Sequence, residues 1–153
     1  MKIDLTPSEF RRLLHLVYIA TWILDAHRTA DDPRTALYNK LEQKLLAIAH
    51  RHDFHDLVEY APEHDRYFPT RHMEEGPAHQ FIDEYDNDTF WDELTHRLAE
   101  RDAIADVGGV DAYLNLTFDE RITRLFHHEA RYAGEFHEHG LDRLTVHADS
   151  EGA

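Results

Sequence analysis

The chain has 153 residues, about the size of one domain, and 42% of them are hydrophobic, which is enough for a sizeable core. Its 31 acidic residues against 16 lysines and arginines give a formal net charge of −15 at pH 7. Such a surface repels phosphate groups, so direct binding to nucleic acid or to an anionic membrane is disfavoured. The absence of cysteine removes disulfides, thiolate metal sites and thiol nucleophiles.

Residues 1–24 show the pattern of neither a signal peptide nor a membrane-spanning helix. The N-terminal residues MKIDLTPSEFRR lack the apolar run followed by small residues that a signal peptide needs. The longest mostly apolar stretch, LLHLVYIATWIL (13–24), is too short to span a bilayer and contains a histidine. We therefore expect a cytoplasmic protein.

The first predicted helix begins at TPSE (6–9), because its threonine and glutamate form a capping box and its proline takes the first helical position. Apolar residues then recur at helical spacing as far as Leu24. A second apolar face is added by Leu16, Ile19 and Ile23. We expect this helix to be central to the fold or shared with a partner chain.

Three further main helices are predicted downstream. The second follows a cap at DDP (31–33), and its apolar stripe consists of Leu37, Leu41, Leu45 and Ile48. The third covers residues 90–107 and stops at Gly108-Gly109, with a shorter helix at 77–85 before it. The fourth opens with a second capping box at TFDE (117–120) and ends at Gly140.

Residues 60–77 separate the second and third helices and contain three prolines and a glycine, which predicts a long irregular connection. Alternating strand patterns are nearly absent from the chain. The predicted fold is therefore all-α, a single-domain bundle of four main helices plus a short helix. We expect residues 1–140 to form the domain and residues 141–153 to be a frayed tail.

Residue counts exclude several enzyme chemistries. Serine occurs only as Ser8, in the first helical turn, and as Ser150, in the tail, so a serine nucleophile has no strand-to-helix elbow. The six glycines are scattered and form no loop that could cradle phosphates. With only three lysines, a Schiff-base enzyme is disfavoured as well.

Residues 50–56 read HRHDFHD and place three histidines and two aspartates within seven positions. If the second helix continues, His52 and His55 lie three residues apart and face the same side. Together with Asp56 they form a candidate site for a divalent metal such as zinc, manganese or iron. The alternative is that the helix ends near residue 52 and that its basic residues interact with the last carbonyl groups.

The run HDLVE (55–59) resembles the second metal motif of the HD-domain phosphohydrolases, all-α enzymes that cleave phosphate esters with divalent metals. The resemblance covers five contiguous residues. It implies that His55 and Asp56 hold the metal, and that Glu59 lies near the phosphate. The other ligands it implies are an upstream histidine, His15 or His27, and a downstream aspartate, Asp102, Asp106 or Asp111.

No motif identifies a catalytic residue. The first hypothesis is therefore a small acidic helical protein that binds a protein partner or self-associates through its first helix, without catalysis. One alternative is a metal-dependent phosphohydrolase that uses His55-Asp56. Another is an acidic mimic of nucleic acid that binds a basic protein, which requires the carboxylates to be concentrated on one face.

The metal hypothesis predicts the behaviour of one double variant. If HRHDFHD holds a metal, His52→Ala with His55→Ala should lose stoichiometric metal and melt at a lower temperature, because two ligands are gone. Elemental analysis of protein purified without a histidine tag measures this. Unchanged metal content would remove both the metal site and the phosphohydrolase alternative.

Overall fold

The computed structural model describes residues 2–28 and 32–145. In this part of the chain the helices are α1 (Pro7–Asp25), α2 (Ala36–Arg51), α3 (Arg71–Glu74), α4 (Pro77–Asp106), α5 (Val110–Leu114) and α6 (Phe118–His139). The strands β1 (Val58–Ala61) and β2 (Arg66–Pro69) form one antiparallel hairpin. The protein is mostly helical, as the sequence predicts, whereas the layout as one four-helix bundle stays a prediction.

Several predicted helix boundaries are confirmed. At the start of α1 the Thr6 hydroxyl accepts from the Glu9 amide at 3.3 Å, and the Glu9 carboxylate accepts from the Thr6 amide at 2.8 Å. Thr117 and Glu120 form the same capping box at the start of α6. α4 ends directly before the predicted glycine stop, and Gly140 caps the end of α6. The second helix instead begins after Thr35, and Asp31 of its predicted cap lies outside the described residues.

The predicted helices 77–85 and 90–107 are one continuous helix, α4. No proline or glycine occurs between residues 78 and 107, so nothing in this stretch breaks the helix. Residues 83–88 are all exposed, and an exposed stretch of helix needs no apolar periodicity to continue. The prediction of two helices was wrong because the apolar pattern is interrupted between residues 83 and 88, whereas the helical backbone continues through them.

The connection after α2 is more regular than its prolines predict. β1 and β2 pair so that Val58 lies opposite Pro69 and Ala61 lies opposite Arg66. The prolines are tolerated because Pro62 lies in the turn and Pro69 is the last residue of its strand. Four-residue strands are also too short to show a clear alternating pattern. The short helix α5 was likewise not predicted.

The contacts within the chain group into two compact units, Met1–Tyr85 and Asp86–Ala153, which we call the N-terminal and C-terminal units and describe separately. The division falls inside α4. The prediction of a single domain over residues 1–140 stays a prediction. Residues 141–145 are exposed after the end of α6, and the rest of the predicted tail lies outside the described residues.

In the N-terminal unit, α1 and α2 run antiparallel, since Thr21 contacts Glu42 while Phe10 contacts Phe54. The β-hairpin packs against α2, where the Gln43 side chain bonds both backbone groups of Tyr67. Between these elements lies a core of buried apolar side chains: Leu14, Tyr18, Leu46, Ala49, Phe54, Leu57, Val58, Met73, Ala78 and Ile82.

The C-terminal unit has a smaller core. Its buried hydrophobic residues in the described range are Ala99, Ala103 and Tyr113. α4 and α6 run antiparallel, because Trp91 contacts Phe136 and His96 contacts Glu129. Among the described residues, no helix is both long enough and apolar enough to cross a membrane.

Two leucines of α1 provide a matched test of this packing. Leu14 is 1% exposed and Leu16 is 65% exposed. Leu14→Ala should lower the free energy of unfolding by about 2–5 kcal/mol, because it leaves a cavity in the core. Leu16→Ala should change it by less than about 0.5 kcal/mol, as for most surface positions. Urea denaturation of both variants at low protein concentration measures the difference, and equal losses would contradict the described orientation of α1.

Candidate functional site

The structure ends α2 at Arg51, so HRHDFHD lies partly on the helix and partly in the turn that follows. Asp53 has a positive φ of 64°, which turns the chain so that Phe54 enters the core. The His50 and His55 rings contact each other with their centroids 4.5 Å apart. The His55 Nε2 atom is 3.6 Å from the Asp53 carboxylate.

The other two predicted ligands have different surroundings. His52 lines an apolar cavity together with Ile48 and Phe54. Asp56 accepts two hydrogen bonds from the Arg11 guanidinium, at 2.6 and 3.3 Å. These bonds hold the pKa of Asp56 below its ordinary value, against the opposing effect of partial burial.

His52, His55 and Asp56 therefore do not share one set of neighbours. In the described part of the chain no group of three or more histidine, aspartate or glutamate side chains is arranged to hold a metal. The metal hypothesis stays a prediction, tested by the double variant given above.

The residues that the phosphohydrolase resemblance adds are spread over both units. Burial lowers the pKa of His15, as does the charge of Arg11, while Asp56 opposes them, so His15 lies near that ion pair. His27 is exposed beyond the end of α1, and Glu59 is exposed on β1. The three downstream candidates, Asp102, Asp106 and Asp111, belong to the C-terminal unit.

A polar site that the sequence did not reveal is formed by Glu42 of α2. Its carboxyl lies 3.0 Å from the hydroxyl of the buried Thr21 on α1. The two residues line a small cleft of about 170 Å³ together with Tyr18, Trp22, Asp25 and Pro69. Burial raises the pKa of Glu42 above its ordinary value of 4.5, and Asp25 adds to the rise, while the bond to Thr21 and the charge of Arg66 oppose it.

The Thr21 hydroxyl lies between two acceptors. Its Oγ1 is 2.9 Å from the Val17 carbonyl oxygen and 3.0 Å from the Glu42 carboxyl, to which it can donate. A bond donated to Glu42 favours the charged carboxylate, so it limits the rise in the pKa of Glu42 that burial causes. The sequence contained one signal that Glu42 faces inward. Glu42, Leu46 and Ala49 lie on the same helical stripe, and Leu46 and Ala49 are buried.

In the C-terminal unit, Asp102 is the centre of a charged network. Its carboxylate accepts from Tyr132 at 2.6 Å, from Arg101 at 2.8 Å and from Arg131. Burial alone would raise the pKa of Asp102, but the three hydrogen bonds outweigh it and hold the pKa at about 2. A carboxylate occupied in this way joins α4 to α6 and is not free to act as a base.

A second contact between these helices joins Asp106 and His128. The His128 Nε2 atom is 2.8 Å from the Asp106 carboxylate, and the ring is 5% exposed. Its Nδ1 atom is buried and has no hydrogen-bond partner among the described residues. The pair adjoins a cavity of about 500 Å³ lined mainly by charged side chains from the first two turns of α6. Because Nδ1 is itself buried, this pair does not present a base to solvent.

Helices α1 and α2 of the N-terminal unit carry a set of apolar side chains that the core does not cover. The core takes one side of the α1–α2 pair, and the opposite side carries apolar residues at helical spacing. We call this side the outer apolar face; it consists of Leu13, Leu16, Ala20 and Ile23 of α1 and Leu37, Leu41, Leu45 and Ile48 of α2. Leu16, Ile23, Leu37 and Leu41 are 65%, 56%, 78% and 56% exposed. None of the eight is buried.

Comparison with known proteins adds no family to this description. No protein-family model matches the chain, and neither the curated proteins nor the solved structures gave a similar protein. What the protein does must therefore follow from its own residues.

Glutamine at position 42 tests the buried carboxyl. Since the folded state raises the pKa of Glu42, the protonated form stabilises the fold below pH 4.5, and this contribution is lost as the pH rises through the raised pKa. Glu42→Gln stays neutral and keeps a side-chain oxygen that can accept from the Thr21 hydroxyl. The variant should therefore be more stable than the natural protein at pH 7, by a margin that shrinks as the pH falls towards 4.

Thermal melts at a series of pH values measure this margin. Glu59→Gln is the matched control, because it removes the same charge from an exposed position. A Glu42→Gln variant that is less stable than the natural protein at pH 7 would show that the fold needs the charged carboxylate.

Proposed function

We propose that this protein is a protein-interaction module without catalytic activity, and that it self-associates through the outer apolar face. The observation that carries the proposal is the exposure of Leu16 and Ile23 on α1 beside Leu37 and Leu41 on α2. Contiguous apolar surface of this kind is typical of interaction sites in proteins that otherwise expose mainly charge. Of the second apolar face that the sequence predicts for the first helix, Leu16 and Ile23 belong to this surface, whereas Ile19 packs against the core.

The charge distribution favours contact at this face. Between Arg12 and His27 the stripe on α1 that is centred on Leu16 has only apolar members, in a chain with 31 acidic residues. Elsewhere like charges on two copies repel each other, whereas along this stripe of α1 apolar side chains can meet without desolvating a charge. The interface should therefore form at this face and should strengthen with added salt, which screens the overall repulsion.

A second copy is a suitable partner because the α1 stripe is complementary to itself. If two α1 helices pack antiparallel around a two-fold axis near Ile19 and Ala20, Leu16 of each copy lies beside Ile23 of the other. The contacts on α2 extend the same patch. A stable homodimer needs roughly 800 Å² from each copy, which α1 alone does not supply, so both helices must take part.

Two aspartates on α1 test the proposal. The double variant Leu16→Asp/Ile23→Asp should fold, because both side chains are exposed, but its dimer should dissociate at least about a hundredfold more readily, since each unpaired carboxylate at the interface costs several kcal/mol to desolvate. Sedimentation velocity over a range of protein concentrations at pH 8 measures the association, with and without added salt.

The matched control is Gln80→Asp/Asn115→Asp, which makes the same change in net charge at two exposed positions outside the outer apolar face. It should associate like the natural protein. A natural protein that is monomeric at every concentration and salt, or a control variant that dissociates equally, would refute self-association through this face.

A further inference from the structure

A cavity of about 940 Å³ lies at one end of the α1–α2 pair, where the N-terminal segment passes over the two helices. α1 contributes Phe10 and Leu13, and α2 contributes Leu45 and Ile48. Phe54 completes this side, with its ring edge-on to Phe10 at 5.3 Å between centroids. The remaining wall is residues 2–5, which add the side chains of Ile3 and Leu5.

The size and lining of this cavity are those of a small-molecule site. Most of the side chains that line it are apolar, and its volume is within the range of roughly 300–1,000 Å³ that such sites occupy. A packing defect would be far smaller, because protein interiors are close-packed.

The N-terminal wall can admit a ligand. Residues 2–5 neither donate nor accept a backbone hydrogen bond within the described part of the chain. These residues line the cavity, and Ile3 is 68% exposed. The segment can therefore move away from α1 and α2 without breaking secondary structure, and apolar contact with a ligand would stabilise it in place.

The polar groups at the rim indicate the kind of head group. Lys2 and Asp4 form an ion pair of 2.9 Å at the surface, so the rim offers no unbalanced charge from these two residues. Because Lys2 and Asp4 already neutralise each other, neither a carboxylate nor an ammonium head group finds an unpaired counter-ion in these two residues. The exposed His52 can donate or accept a hydrogen bond with an uncharged group.

We propose that this cavity binds an uncharged amphiphile, an unbranched aliphatic chain with a neutral hydroxyl-type head group. The chain lies between Phe10, Leu13, Leu45 and Ile48, and the head group lies at the rim beside His52. This site goes beyond the proposed function. It shares Leu13, Leu45 and Ile48 with the outer apolar face, but Leu16 and Ile23 do not line the cavity, so the two proposals can be tested separately.

Three probes of equal chain length separate the head-group chemistries: 1-octanol, octanoate and octylammonium. Binding is followed on the full chain by titration in two-dimensional amide NMR spectra. We expect 1-octanol to bind most tightly and to shift the resonances of residues around Phe10, Ile48 and His52. Tighter binding of octanoate or octylammonium would refute the neutral head group, and no saturable binding of any probe would refute the site.

Two variants locate the bound probe. Ile48→Trp fills the cavity from α2 and should weaken 1-octanol binding by about tenfold or more, the effect of excluding a few methylene groups. Ile3→Asp/Leu5→Asp changes only exposed side chains of the N-terminal wall, so it should fold even if the first variant does not, and it should weaken binding to a similar extent.

Tyr38→Trp is the matched control, because it places the same indole on α2 at an exposed position outside the cavity. It should bind 1-octanol like the natural protein. Unchanged binding in the N-terminal double variant, or an equal loss in the control, would place the probe elsewhere and overturn the proposal. The interface variant Leu16→Asp/Ile23→Asp should keep its affinity for 1-octanol, so failure of self-association and failure of this site are distinguished.

Discussion

The first two helices carry apolar residues on more than one face, and the core of the N-terminal unit covers one face of each. Leu14 and Tyr18 of α1 and Leu46 and Ala49 of α2 are buried in that core. The leucines and isoleucines on the opposite side stay in contact with water. This imbalance accounts for both proposals, since the exposed side supplies the interaction surface and one end of it is enclosed as a cavity.

Three acidic residues have specific hydrogen-bond partners. Glu42 lies against Thr21, where water is excluded, and the rise in its pKa follows from that burial. Arg11 neutralises Asp56, and Asp102 has three donors. In each case a strong hydrogen bond joins two elements of one unit, so these groups contribute to the architecture.

The C-terminal unit is held together differently. Its buried hydrophobic residues in the described range are only three, and polar contacts also join α4 to α6, through Asp102 with Tyr132 and Asp106 with His128. Such contacts add less stability than apolar burial when they are exposed to solvent. The unpaired Nδ1 atom of His128 is an additional cost, because a buried polar atom without a partner loses its bond to water.

The sequence by itself determined the helical class and the ends of several helices, because capping boxes and terminal glycines act through bonds to residues three or four positions away. It also showed the extra apolar face of the first helix, since periodicity is a property of one helix alone. It could not show that residues 77–106 form one helix, because an exposed helix leaves no apolar pattern. Nor could it predict the hairpin of β1 and β2, whose short strands are stabilised by contacts with α2.

Only the tertiary structure decided which apolar face is buried and which polar residues meet. Leu14 and Leu16 are equally apolar in the sequence, and their different exposure depends on where α2 and the hairpin lie. His52, His55 and Asp56 are neighbours along the chain, yet the turn at Asp53 and the position of Arg11 give them separate surroundings. Glu42 and Thr21 are 21 residues apart and meet only because α1 and α2 run antiparallel. The burial of a side chain and its hydrogen-bond partners depend on several helices and strands at once. A periodic pattern within one helix therefore determines neither the burial nor the partners.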